Sequence, residues 1–159
     1  MSTFSFGQRT ETALNFDDNT SHFTIEFEND ILFFQTDHYY TAGVAFSYTN
    51  KKLKNTPAQL ISRPKNQGDV TFSGFGIEHR MFTPSSIFNP NRISNDRPYS
   101  AYLMLTNFSV LVSPIQHLKI SNEIGIGVIG PAALGEEIQT GVHNLIDYEV
   151  PFGWDNQIR

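Results

Sequence analysis

A chain of 159 residues carries 13% aromatic and 17% charged side chains, no cysteine and a formal net charge of −5. That length makes one domain at most, or a piece of a larger one. The acidic balance, with a pI near 5.4, argues against a nucleic-acid partner, which needs a basic face. The lack of cysteine excludes a disulfide framework, a thiolate metal site and a cysteine nucleophile.

Residues 1–21 show no periodicity and read as a polar lead-in, and Met1 to Arg9 lacks the basic start and apolar core of a secretory signal. His22 to Glu28 then alternates, with Phe23, Ile25 and Phe27 on one face and Thr24, Glu26 and Glu28 on the other, which predicts a strand. Thr41 to Thr49 predicts a second, setting Ala42, Val44, Phe46 and Tyr48 against a small or polar face. Val70 to Arg80 and Ala101 to Val112 are looser in register, and Leu118 to Val128 alternates cleanly again. In the stretch that follows, Leu134, Ile138, Val142 and Ile146 recur every four residues, and Glu136 and Glu137 fall in the first turn, where the helix dipole favours acids. This predicts a helix that sets His143 one turn from both Gln139 and Asp147, either of which could orient its ring.

Strands with one apolar and one small, polar face fit two architectures. A transmembrane β-barrel turns the apolar face to lipid, and a soluble barrel or sandwich turns it inward. Alternation alone favours the soluble arrangement. In an up-and-down meander the connections alternate between the two ends. Connections one (29–40), three (81–100) and five (130–155) then share an end, and connections two (50–69) and four (113–116) share the other. The odd connections hold most of the ionisable and aromatic loop residues, so a site is expected there.

Taken singly, the candidate residues are ordinary. Glu28-Asn29-Asp30 can offer oxygens to a hard cation such as calcium, and equally ends a strand. Asp96-Arg97-Pro98 reads as a loop lock, with Arg97 bonding carbonyls. His143 is the best general base on offer. No phosphate loop, serine elbow or histidine metal spacing is present.

In series the segments carry more. Glu28-Asn29-Asp30, Thr36-Asp37 with Tyr40-Thr41-Ala42-Gly43, Phe82-Thr83-Pro84, Asp96-Arg97-Pro98-Tyr99-Ser100-Ala101, Gly127-Val128-Ile129-Gly130-Pro131, Gly135-Glu136-Glu137, Gln139 with His143, and Gly153-Trp154-Asp155-Asn156-Gln157 resemble, in order and spacing, the LpxR family of Gram-negative outer-membrane lipid A 3'-O-deacylases. The resemblance runs over residues 22–158. It implies an all-β, antiparallel up-and-down transmembrane barrel of twelve strands, with the active site between the barrel wall and a helix from an extracellular loop. Also implied is calcium-dependent hydrolysis of the 3'-linked acyl ester of lipid A in the outer membrane, with lipopolysaccharide and outer-membrane lipids as partners and a monomer as the complete protein. Asn29 and Asp30 take the positions of the family's Asn-Asp pair, which would hold the calcium. Thr41 takes that of its hydroxyl residue, and His143 that of its catalytic histidine. The family's site also includes a lysine in connection three; residues 82–99 contain none, and Arg92 and Arg97 are the cations available there to hold a phosphorylated headgroup. A barrel that binds lipid without catalysis is the alternative. Because five strands cannot close a barrel and an open edge is forbidden in lipid, residues 22–159 are read as the N-terminal half of a longer barrel.

Overall fold

In the computed structural model, which describes residues 21–29 and 41–159 (residue 29 by its backbone alone), the chain is a meander of antiparallel strands. β1 (Ser21–Asn29), β2 (Ala42–Asn50), β3 (Val70–Phe82), β4 (Ser100–Ser113) and β5 (Leu118–Ile129) pair in sequence order in one five-stranded sheet. The alternation located each strand to within two residues. The ladder outlasts the pattern because backbone pairing does not need an amphipathic side-chain sequence. The lead-in to residue 20, Asp30 and the Thr36-to-Tyr40 segment lie outside the described residues.

The outward face decides between the two architectures. Phe23, Phe46, Phe75, Leu105 and Ile126 all remain exposed, although they are the apolar members of their alternations. A soluble sandwich would bury them as its core, whereas a barrel leaves them to lipid. The soluble arrangement is therefore corrected: these are strands of a membrane barrel wall. Among the described residues no helix is long and apolar enough to cross a membrane.

Two compact units are built on these strands. One lies within residues 1–26, 45–77 and 105–126. In it a helical turn, α1 (Pro57–Leu60), interrupts connection two; the alternation did not predict it, though Pro57 after Thr56 is the proline expected at a helix's first position. Ala58 is fully buried, and its N–H donates to Asn107 Oδ1 at 2.8 Å, while Asn107 Nδ2 donates to the Gly74 carbonyl at 2.8 Å. Asp69, also buried, is held below the usual carboxylate range, first by the Ser113 hydroxyl, then by the Asn66 N–H and by Arg63, against the opposing effect of burial. Arg63 Nη2 stands 3.0 Å from its carboxylate.

The other unit lies within residues 27–44, 78–104 and 127–159. It holds an apolar core of Ala42, Met81, Ile87, Tyr99, Ala101, Ala133 and Trp154. The predicted helix is α2 (Gly135–Leu145), preceded by a 3-10 turn at Pro131–Ala133 and followed by another at Trp154–Asn156. Gly130, at φ 82°, makes the sharp exit from β5 that a side chain would resist.

Candidate active site

The helix does not pack through its apolar stripe. The buried residues of α2 are Gly135, Gln139 and His143, spaced four apart and so on one face. Leu134, Ile138, Val142 and Ile146 stay 39–53% exposed. Gly135 sets the contact with the sheet: a Cβ there would lie 2.5 Å from Ala101 Cβ and 2.5 Å from the Trp154 ring, so only glycine permits this approach. The Trp154 indole N–H donates to Gln139 Oε1 at 2.7 Å, and its ring packs on Tyr99 at 4.8 Å. Tyr99 in turn donates its hydroxyl to the Ile87 carbonyl.

Between this helix and the sheet lies a partly open cleft. Phe27 of β1, residues 41–44 entering β2, and His79 and Met81 of β3 form its wall; Ile138, Gln139, Val142 and His143 of α2 face them. Of these, Phe27, Ala42, Val44, His79 and Met81 belong to the alternate sets that carry the exposed apolar side chains, so the cleft lies on the lipid-facing side of the wall.

His143 is buried in the cleft, 1% exposed, as is Gln139. Its Nδ1 lies 2.6 Å from the Glu149 carbonyl, which can only accept, so Nδ1 carries the proton and the neutral ring keeps its lone pair on Nε2. The Tyr148 ring meets the imidazole edge-on at 5.1 Å. The sequence had offered Gln139 or Asp147 for this role. Instead Asp147 turns the chain at φ 55° after the helix ends, and Glu149, two residues on, supplies the carbonyl.

Thr41 is buried at the cleft wall, its hydroxyl 2.8 Å from that of Thr83 and its N–H donating to the Met81 carbonyl. The structure thus brings Thr41 and His143 together. Asp30 and the Asn29 side chain lie outside the described residues. Arg92 and Arg97 do not line this cleft; they line a smaller one with Pro84, Ile93, Tyr99 and Asn156, where the Arg97 guanidinium sits over the Phe82 ring at 4.6 Å. The lock in that loop is carried by Asp96, which accepts from the Ser85 N–H and hydroxyl and from the Arg97 N–H.

Sequence reasoning missed His79. It is 6% exposed, and its Nε2 donates to the Ala133 carbonyl at 2.8 Å, tying the turn before α2 to the strand wall. Its signal was available, since it follows Phe75 and Ile77 on the apolar face of β3.

No group of three or more histidine or acidic side chains that could hold a metal occurs among the described residues. Of the cleft's described side-chain oxygens, Thr41 Oγ1 pairs with Thr83 and Gln139 Oε1 with Trp154. A hard cation needs further oxygens, carboxylate above all, and the sequence offers them in Asn29 and Asp30, which follow Glu28.

The family model described as Outer membrane protein LpxR matches residues 2–159. Among solved structures the chain is similar to LpxR from Salmonella typhimurium, with a TM-score of 0.60 and 28% sequence identity over 76% of this chain. It spans 36% of that structure's length. No curated protein sequence matches the chain.

Proposed function

Since the chain belongs to the LpxR family of outer membrane proteins, we propose that its cleft contributes the base of a lipid A deacylase, one that hydrolyses the 3'-linked acyl ester. The observation that carries this reading is the pairing of a tautomer-fixed, buried His143 with a largely apolar cleft on the lipid-facing face of the strands.

In this reading the acyl chain lies against Phe27, Val44, Ile138 and Val142, which explains why the apolar stripe of α2 is left exposed. Water at the ester carbonyl gives up its proton to His143 Nε2 as its oxygen bonds to the carbonyl carbon. The tetrahedral species then collapses, the sugar oxygen leaves with the proton returned from His143, and the fatty acid departs, giving its remaining proton to solvent to become the carboxylate. The Glu149 carbonyl holds the ring in the tautomer that can accept and steadies the imidazolium once formed. Thr41 positions groups at the cleft wall by hydrogen bonding. Calcium is part of the proposal: Asp30 with Asn29 would hold it, and bound there it supplies Lewis-acid polarisation of the ester carbonyl. Arg92 and Arg97, in their separate cleft, are proposed to meet the phosphorylated headgroup rather than the scissile ester.

The test is mass spectrometry of lipid A from cells expressing the complete parent protein beside its His143→Ala variant. Loss of the 3' acyl mass with the wild type alone is expected. An unchanged mass in both would favour a lipid-binding barrel without catalysis, and equal loss in both would remove His143 from the base role.

A further inference from the structure

The chain's charge is unevenly placed along its sequence. Connection two carries Lys51, Lys52, Lys54, Arg63 and Lys65, and its one acid is Asp69, which Arg63 already meets. The chain as a whole is acidic, at −5. Lys52, Lys54 and Lys65 are exposed, and Lys51 sits 5.5 Å over the Phe72 ring. Among these cations Leu60 and Ile61 project, 72% and 60% exposed, and Ile115 of turn four is 75% exposed. Ile115 also abuts Gly68, so turn four and connection two form one surface.

This segment is anchored rather than loose. Ala58 is tied to Asn107, Asp69 to Ser113 and Arg63, and Arg63 Nη2 also donates to Gln116. Asn107 falls in the same alternate set of β4 as the exposed Leu105. α1 is therefore bonded to the sheet face whose apolar residues meet lipid. Apolar side chains amid lysines, fixed at the end of a lipid-facing strand, have the chemistry of an interfacial anchor.

We infer that connection two with turn four is a docking surface for anionic phospholipid headgroups, with Leu60, Ile61 and Ile115 entering the acyl region and Lys52, Lys54 and Lys65 meeting phosphate. Charge complementarity and continuity with the exposed apolar face select this occupant.

The test uses the complete parent protein, and neither readout depends on deacylation. Residues 1–159 have no cysteine, and with any cysteine elsewhere in the parent replaced by serine, Ile61→Cys can carry an environment-sensitive fluorophore; in phosphatidylglycerol-containing vesicles its emission should shift to the blue and be quenched by brominated lipid. In native mass spectrometry the wild type should retain phosphatidylglycerol over phosphatidylcholine. The combined Lys52→Gln, Lys54→Gln, Lys65→Gln variant should lose at least roughly tenfold of that preference, each lysine near an anionic surface being worth about fivefold. A label that stays unquenched, equal retention by wild type and variant, or displacement of phosphatidylglycerol by inorganic phosphate alone would each overturn the inference.

Discussion

Replacing Gly135 by alanine tests whether close packing of α2 on the sheet sets the active geometry. The added methyl would lie 2.5 Å from Ala101 Cβ and from Trp154 Cη2, where carbon atoms rest at about 3.5–4.0 Å. Helix and sheet must therefore separate by about 1 Å. Overpacking of this kind costs about 1–3 kcal/mol, and alanine's better helix propensity offsets at most about 1 kcal/mol of it. The larger consequence is catalytic, because His143 rides two turns further along the same buried stripe. A misplacement of about 1 Å can cost on the order of 100-fold in rate. The assay is release of 3' acyl chains from lipid A by the complete protein in detergent, with thermal unfolding recorded on the same samples. Gly141→Ala is the control: a Cβ there meets nothing within 4 Å, so it should stabilise by up to about 1 kcal/mol and leave the rate unchanged. If Gly135→Ala keeps the wild-type rate, the contact between α2 and the sheet does not position the base.

Asp30→Ala should weaken calcium binding at least tenfold in a calcium titration of the complete protein, and unchanged affinity would place the ion elsewhere. Asn107→Leu removes the acceptor for the Ala58 N–H and the donor to Gly74. An unpaired buried N–H costs about 1–3 kcal/mol, so limited proteolysis should cut connection two faster in this variant. Asp69 has a lowered pKa in the folded chain; its stabilising contribution is therefore present above the ordinary carboxylate range and lost as pH falls through the depressed folded value. Cleavage of connection two should accelerate on acidification in the wild type, and Asp69→Asn should remove that pH dependence.

Every strand was legible in the amino-acid sequence because a pleated chain must alternate its side chains; β1 and β2 do so without interruption, and β5 with Asn122 as the one polar residue in its apolar set. The ordered motifs, from Glu28-Asn29-Asp30 to Gly153-Trp154-Asp155, also named the family and picked out His143 and Thr41. What alternation could not decide was which face meets solvent, since a core and a lipid bilayer accept the same residues. That was settled by the exposure of Phe46, Phe75 and Leu105 on the folded sheet. Nor could it choose the packing face of α2: the period of the apolar residues was right, yet the buried stripe is Gly135, Gln139 and His143. Helical periodicity marks what is apolar, and on a protein facing lipid that is not what is buried. The Glu149 carbonyl at His143 and the reach of His79 to Ala133 depend on a left-handed turn at Asp147 and on the pairing of distant segments. Backbone groups are the same at every position, so which carbonyl meets which imidazole is fixed only when the chain has closed on itself.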